Sequence, residues 1–137
     1  MHKLKENLKN GKYSCAIIKE GEVFCSAIGK GVKPLLELYS TYEDDLKELE
    51  LLDKVIGKAA AVVTVKMGIK KVYTPVITKA GLAFLKNNNI EVEYDEEIEY
   101  IENRDKTGMC PMEKTLLNYE NVDKAYIALI EFIKSKS

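Results

Sequence analysis

The sequence lacks most of the side chains on which common catalytic and metal sites depend. Tryptophan is absent, and the single histidine is His2. A Ser-His-Asp triad, a Cys-His pair or a His-rich metal site would have no histidine in the body of the chain. Proton transfer there would depend on carboxylates, lysine, tyrosine, cysteine or bound water.

Cysteine is scarce and widely spaced. The three cysteines, Cys15, Cys25 and Cys110, are odd in number and contain no C-x-x-C pair. This pattern argues against a disulfide framework, a zinc knuckle and a thioredoxin-type site. Cys15 and Cys25 lie in segments rich in strand-forming residues, where small buried side chains are expected.

A strong net charge and a long apolar run are also missing. The net charge of -1 and the pI of about 5.9 argue against general binding to nucleic acid or to an anionic membrane. No apolar run approaches the roughly 20 residues of a membrane helix, and the first residues show no signal sequence. We therefore expect a cytoplasmic protein. Its 137 residues, 46% of them hydrophobic, predict a single domain over 1–137.

Hydrophobic periodicity and turn residues predict helices alternating with strands. The predicted order is a helix over 2–9, a hairpin over 13–28, a helix beginning at Pro34, a buried helix over 53–68, a strand from 69 to about Pro75, a helix over 78–86, a strand over 90–94 and a helix over 122–133. This alternation implies an α/β fold, a three-layer α/β/α sandwich with a mixed sheet.

The segment 53–68 is apolar around nearly its whole circumference, which predicts burial on more than one side. Asp53 is its predicted N-cap, and Gly68 is its predicted end. The β-branched run from Val62 to Val65 leaves a buried strand as the alternative, although the length favours a helix.

The order of elements resembles the cytidine-deaminase-like fold. In that fold, a helix beginning His-Ala-Glu or Cys-Ala-Glu and a Pro-Cys-x-x-Cys segment supply three zinc ligands and a proton-shuttling glutamate. Here Lys58 and Ala60 occupy the ligand and glutamate positions of the first motif, and Val76 and Lys79 replace the two thiolates. The resemblance therefore implies a deaminase-like domain without zinc ligands, and we expect no metal and no cofactor.

Three motifs resemble a narrower family, the bacterial and archaeal domain of unknown function 1893, a zinc-less branch of this fold. They are Gly31–Leu35, Asp53–Ala61 and the pattern Asn103-Arg104-x-x-Thr107-Gly108-x-Cys110-Pro111-Met112-Glu113. That family has no assigned activity, so the resemblance implies a fold and a pocket location but no reaction.

The last motif also carries candidate catalytic residues. Pro111 fits the first position of a helix, which makes Cys110 the N-cap and places Glu113 where it can reach back to a free N–H. A helix N-terminus favours the thiolate, so Cys110 is a candidate nucleophile and Glu113 a candidate proton handler. The alternative is a packing cysteine in a capped helix.

Candidate ligand-binding residues lie in two places. An amide, a guanidinium and a carboxylate in one loop could recognise a phosphate, a carboxylate or a nucleobase edge, or could only bond one another. The loop residues are Asn103, Arg104, Asp105, Thr107 and Gly108. Lys58, a lone charge in the apolar helix, is the second candidate; the alternatives are an ion pair or a side chain that reaches solvent. The glycines and lysines of 29–33 could hold an anion or form only a turn.

The leading hypothesis is a binding module for a nucleotide-like or other anionic small molecule. A metal-free enzyme with Cys110 as nucleophile and Glu113 or Lys58 as proton handler is the first alternative. The second is a non-catalytic regulatory or structural subunit, and a homodimer is a possible assembly in each case.

Overall fold

The computed structural model describes residues 1–136 as a mixed α/β structure. The strands are β1 (Cys15–Lys19), β2 (Glu22–Ala27), β3 (Glu50–Asp53), β4 (Val55–Ile56), β5 (Lys71–Thr78) and β6 (Glu91–Ile98). The helices are α1 (His2–Lys9), α2 (Lys33–Tyr42), α3 (Lys58–Met67), α4 (Lys79–Asn87), α5 (Pro111–Leu116) and α6 (Val122–Ser135), with a 3₁₀ turn at Glu43–Leu46. No helix within this described part has the length and apolarity needed to cross a bilayer.

The six strands form one mixed sheet. β1 pairs antiparallel with β2 and with β3, whereas β3, β4 and β6 run parallel to β5. β6 follows one side of β5 along its whole length. On the other side, β3 pairs with the first part of β5 and β4 with its last part. The predicted mixed sheet with helices on both sides is confirmed.

Alternate strand residues divide the interior into two cores. Ile17, Leu51 and Val72 face the larger core, which α2, α3 and α4 cover. Leu52 and Tyr73 face the opposite side, where α1 covers a smaller core. α6 packs against α3, so that α3 lies between the sheet and α6.

The predicted central helix forms, but it starts later than the sequence pattern indicated. α3 begins at Lys58 with Gly57 as its N-cap, and it ends at Gly68, whose φ of 77° is left-handed. Asp53 is therefore not the N-cap: it is the last residue of β3. Asp53 pairs with Cys15 of β1, and Val55 and Ile56 pair with β5. These long-range contacts override the local helix signal. The burial of α3 around most of its circumference is as predicted.

Pro75 does not end β5, contrary to the prediction from the sequence. The strand continues to Thr78. Pro75 falls between the residues that pair with β3, which end at Tyr73, and those that pair with β4, which begin at Val76. On the neighbouring strand, Lys54 separates β3 from β4 beside Pro75. Proline, which lacks an N–H, thus lies where the hydrogen bonds between the strands are already interrupted.

β6 is an outer strand of strongly acidic composition. Its exposed carboxylates are Glu91, Glu93, Asp95, Glu96 and Glu97. Lysines of α1 meet two of them: Lys5 pairs with Glu93, and Lys9 lies 3.2 Å from Asp95. The hydroxyl group of Tyr73 also donates to Asp95. These contacts fasten α1 to this side of the sheet.

Candidate functional site

A cavity of about 400 Å³ opens at the N-terminal end of α3. The loop before α2, the junction of β3 and β4, the first turn of α3 and the start of α5 enclose it. Its apolar wall consists of Val32, Val55, Ala59, Ala60, Ile101 and Met112. Its polar lining consists of Ser14, Lys30, Asp53, Lys54, Cys110 and Glu113. The volume falls in the roughly 300–1,000 Å³ range of small-molecule sites, most of which have mainly apolar walls.

The loop before α2 forms one wall and is held by a serine. Ser14 Oγ donates to the carbonyl oxygen of Gly29 at 2.9 Å and accepts from its N–H at 3.0 Å. This double contact fixes the chain that carries Lys30 and Val32 beside the cavity. The glycine- and lysine-containing segment that the sequence left open between a turn and an anion site therefore borders the cavity.

Glu113 links two helices instead of capping its own. Its carboxylate accepts from the N–H of Lys58 at 2.6 Å and from the N–H of Ala59 at 3.0 Å. The prediction that it reaches back to the start of α5 is wrong, because the uncapped N–H groups of α3 lie closer to it. Burial raises the pKa of Glu113, while these N–H groups and the Lys58 ammonium oppose that shift.

Gly57 makes room for this carboxylate. A Cβ at Gly57 would lie 2.3 Å from Glu113 Oε1 and 2.7 Å from Ile101 Cδ1. The start of α4 approaches the same backbone, since a Cβ at Gly81 would lie 3.0 Å from the carbonyl oxygen of Gly57. Two helix starts thus meet beside the cavity, and glycine permits both contacts.

The Lys58 side chain points away from the cavity. Its Nζ donates to the carbonyl oxygen of Leu117 at 3.1 Å and lies 3.6 Å from the exposed carboxylate of Glu120. The same ammonium lies 5.5 Å from the centre of the Phe84 ring. Lys58 is 3% exposed, so these contacts satisfy a buried charge. Lys58 does not line the cavity, although its ammonium is near enough to Glu113 to oppose the rise of that residue's pKa.

Cys110 is on the cavity wall and is the N-cap of α5, as predicted. Its side chain makes no capping hydrogen bond, and its N–H donates to the carbonyl oxygen of Ile101 at 2.7 Å. The other two cysteines are buried. Burial raises the pKa of Cys25 to about 11 and raises the pKa of Cys15 far above its usual value. Within residues 1–136, Cys110 is the cysteine whose thiol is placed to meet a ligand.

The predicted recognition loop is tied to itself. Asn103 Nδ2 donates to Thr107 Oγ1 at 3.1 Å, and Asn103 Oδ1 accepts from the N–H of Thr107 at 3.0 Å. The N–H of Asn103 also donates to the carbonyl oxygen of Gly108 at 2.9 Å. Arg104 and Asp105 are exposed at the tip. None of these side chains lines the cavity, which the loop borders only through Ile101 and Cys110.

Sequence reasoning missed two charged residues of the cavity and included a third only as an alternative. Asp53 was interpreted as a helix cap and Lys54 was not singled out, whereas Lys30 belongs to the segment 29–33, for which an anion site was one of two interpretations. Alternation along β3 places Asp53 on the same face as the fully buried Leu51, toward the helices. Burial raises the pKa of Asp53 to about 8, and the N–H of Lys54 only partly opposes this shift. A prediction of β3 as a strand would have placed Asp53 on the helix-covered face, because its side chain alternates with that of Leu52.

The donor set at this site does not fit zinc. The positions matched to the deaminase ligands hold Lys58, Val76 and Lys79, and Ala60 stands where the glutamate would be. The ammonium groups are engaged elsewhere, Lys58 as described and Lys79 with Glu99 at 2.8 Å. Across residues 1–136, no three histidine, cysteine, aspartate or glutamate side chains form a cluster that could hold a metal ion.

Solved structures support the fold. The chain is similar to a DUF1893 family protein (TM1506) from Thermotoga maritima, with 26% identity and a TM-score of 0.83 over 99% of this chain and 88% of that one. A dCMP deaminase from the cyanophage S-TIM5, in apo form, is 15% identical and has a TM-score of 0.52 over 72% of this chain and 99% of that one.

A third similar structure is the diaminohydroxyphosphoribosylaminopyrimidine deaminase/5-amino-6-(5-phosphoribosylamino)uracil reductase of Thermotoga maritima. It is 14% identical and has a TM-score of 0.53 over 98% of this chain and 42% of that one. At these identities, the two deaminases show a shared cytidine-deaminase-like fold.

The family comparison covers nearly the whole chain. No curated protein matches the sequence. Residues 3–133 match the family described as "TM1506: Domain of unknown function (DUF1893)". The resemblance inferred from the three sequence motifs is thereby confirmed, and the chain belongs to the DUF1893 family.

Proposed function

We propose that the cavity at the start of α3 binds a small anionic molecule of nucleotide-like shape. One observation carries this proposal: a chamber of about 400 Å³ with mainly apolar walls is bordered by two lysines without carboxylate partners. Lys30 and Lys54 are both exposed, and neither forms an ion pair within residues 1–136. An apolar or heterocyclic part would fill the chamber, and the lysines would neutralise the anionic part.

This proposal changes the residues expected to carry the function. The anion contacts move from Lys58 to Lys30 and Lys54, because the Lys58 amine is engaged by Leu117 and Glu120. Asn103–Gly108 contribute no wall in the described conformation. Cys110 stays in the site as a wall residue.

A thermal-shift panel of nucleosides, mononucleotides, sugar phosphates and inorganic phosphate tests binding. We expect a phosphate-bearing class to raise the melting temperature and the matching nucleoside to raise it less. In the double variant Lys30→Ala/Lys54→Ala, the affinity for such a hit should fall about tenfold, since two exposed charge contacts contribute roughly 0.7 kcal/mol each. Lys86→Ala/Lys134→Ala, at exposed helix positions away from the cavity, is the matched control. An equal loss in both double variants would contradict this assignment.

A cavity-filling variant provides the second test. Ala60 lines the chamber and is 8% exposed, so Ala60→Leu would occupy part of its volume. Ala128→Leu makes the same change on α6, in a shallow surface depression away from the cavity. We expect the first variant to abolish the thermal shift and the second to keep it. Retained binding in a folded Ala60→Leu protein would place the ligand elsewhere.

The placement of Cys110 supports a metal-free enzyme as the second proposal. Cys110 lines the chamber, where its thiolate, with the proton released to solvent, could add to an electrophilic carbon of a bound ligand whose displaced electron pair moves onto the ligand's own oxygen or nitrogen. Glu113 is held by the N–H groups of Lys58 and Ala59 and has no free position from which to relay a proton. Cys110→Ala separates the proposals: unchanged binding with loss of turnover supports the enzyme, and an absence of turnover in the native protein supports the binding module.

A further inference from the structure

Asp53 is the one carboxyl group of the cavity that has no structural task. Glu113 holds the start of α3, whereas the Asp53 side chain forms no ion pair within residues 1–136. The nearby N–H of Lys54 donates to the carbonyl oxygen of Ser14 at 3.2 Å, and it only partly offsets the effect of burial on the Asp53 pKa. The adjacent lysines do not approach Asp53 closely enough to pair. Its acidic group is thus left facing the chamber.

The position of Asp53 in β3 explains why this side chain is only partly exposed to water. It lies opposite Cys15 of β1, and both residues point to the helix-covered face of the sheet. The surrounding cavity wall is mainly apolar, with Val32, Val55 and Ala60 among its residues. A carboxyl group in such surroundings favours its neutral form, and its pKa rises to about 8.

We propose that Asp53 is the recognition residue of the chamber, where its carboxylic acid form pairs with an uncharged ligand edge that carries an adjacent acceptor and donor. The O–H donates to the ligand acceptor, and the carbonyl oxygen accepts from the ligand N–H. Amide-like and amidine-like edges of heterocycles have this arrangement. This inference rests on the proposed function, and it assigns the uncharged part of the ligand to Asp53 and the anionic part to Lys30 and Lys54.

Other titratable groups surround this position. They are Cys15 on β1, Glu37 on α2, Lys30 and Lys54 beside the cavity, Cys110 before α5 and Glu113 on α5. These groups are the same in wild type and in Asp53→Asn, so the difference between the pH profiles of the two proteins isolates Asp53.

The experiment measures the affinity of cytidine and adenosine 5′-monophosphates by calorimetry between pH 6.5 and 9.0, where their bases stay uncharged. Ribose 5-phosphate is the probe for the anion alone. With a pKa of about 8, about one Asp53 in eleven keeps its proton at pH 9.0. The mononucleotide that binds best should therefore lose about tenfold in affinity across this range. Ribose 5-phosphate should show no such loss.

Two variants complete the experiment. Asp53→Asn offers a donor and an acceptor that do not titrate, so binding should persist and the loss of affinity attributed to Asp53 should disappear. Asp53→Ala should bind the mononucleotide no better than ribose 5-phosphate. A ¹³C-carboxyl titration of the free protein reads the proton directly and needs no ligand; a midpoint near pH 4 would overturn the assignment.

The outcomes separate this inference from the proposed function. If the mononucleotides and ribose 5-phosphate all fail to bind the wild type, both proposals are overturned. If a mononucleotide binds with the same pH profile in wild type and Asp53→Asn, the site stands and the role of Asp53 is refuted. Binding of ribose 5-phosphate as tight as that of the mononucleotides also refutes it, because the uncharged edge then adds nothing.

Discussion

Glu113 on α5 and Lys58 on α3 hold each other's helices. The Glu113 carboxylate accepts from the N–H of Lys58 at 2.6 Å, and the Lys58 ammonium donates to the carbonyl oxygen of Leu117, directly after α5, at 3.1 Å. The first contact satisfies free N–H groups at the start of one helix, and the second satisfies a carbonyl group at the end of the other. Together they fix the short α5, which carries one wall of the cavity.

Removing the carboxylate should destabilise the protein. Glu113→Ala leaves two buried N–H groups without an acceptor, which we expect to lower the free energy of unfolding by about 2–4 kcal/mol. Glu113→Gln keeps one acceptor oxygen and should cost less. Urea unfolding measures both, with the exposed Glu131→Gln on α6 as control. A Glu113→Ala protein as stable as the control would show that the contact contributes nothing.

The Lys58 side chain should matter for stability and not for ligand affinity. Lys58→Met removes a hydrogen bond from a buried ammonium, and we expect a loss of about 1–2 kcal/mol. Lys66→Met on the same helix is the control, since its ammonium pairs with the exposed Asp123 and its loss should cost less than 1 kcal/mol. A strong fall in phosphate-ligand affinity in folded Lys58→Met would restore this residue to the binding site.

Gly57 should not tolerate a side chain while Glu113 is present. The Cβ of Gly57→Ala would meet Glu113 Oε1 at 2.3 Å, so either the carboxylate or α5 must move, at a cost of about 1–3 kcal/mol. Gly108→Ala adds the same methyl group where no atom lies within 4 Å and should be close to neutral. In the double variant Gly57→Ala/Glu113→Ala, the cost of the Gly57 change should shrink. Additive costs in this cycle would reject the steric explanation.

Asp53 should make stability fall as pH rises. Its folded-state pKa of about 8 lies above the ordinary value of 3.8, so between about pH 4 and 8 the unfolded chain has lost a proton that the folded chain keeps. In this window, the free energy of unfolding falls by at most ~1.4 kcal/mol for each unit by which the pH rises. Asp53→Asn cannot ionise, so its stability advantage over wild type should grow with pH and level off above about pH 8. A constant difference in urea titrations would contradict the raised pKa.

Cys110 should be the cysteine that reacts in the folded protein. Cys15 is 1% exposed and Cys25 is 8% exposed, and burial raises the pKa of both thiols, which leaves little thiolate at neutral pH. Iodoacetamide followed by peptide mass spectrometry should find the label at Cys110 first. A ligand in the cavity should slow this labelling, whereas equal labelling of all three cysteines would indicate an opened fold.

The sequence predicted correctly those elements whose caps and turns are formed by residues close together in the chain. The bounds of α1 were predicted as observed. α4 carries its own N-cap, where Thr78 Oγ1 accepts from the N–H of Gly81, and at the start of α6 the side chain of Asn121 accepts from the N–H of Lys124. The hairpin and the end of α3 at Gly68 also depend on residues close in sequence. These features need no information from distant parts of the chain.

The candidate site depends on contacts that no local pattern records. Glu113 is 55 residues from Lys58 in the sequence. The usual capping rule instead pairs a glutamate at the third helical position with an N–H a few residues before it in the sequence. Asp53 is a good helix cap by residue type, yet strand pairing places it in the sheet. The role of each carboxylate is therefore set by the residues that surround it in three dimensions, and these are distant in sequence.

The acidic outer strand β6 has a consequence for how copies of the protein can meet. Two copies joined edge to edge at this strand would bring its glutamate rows within the roughly 4.8 Å spacing of neighbouring strands. Repulsion between these like charges opposes fibrillar growth from this edge at neutral pH, while acid or high salt would weaken the barrier. If copies of the protein assemble, this repulsion disfavours contact through β6 and leaves the helix faces and the opposite edge, β2, for it.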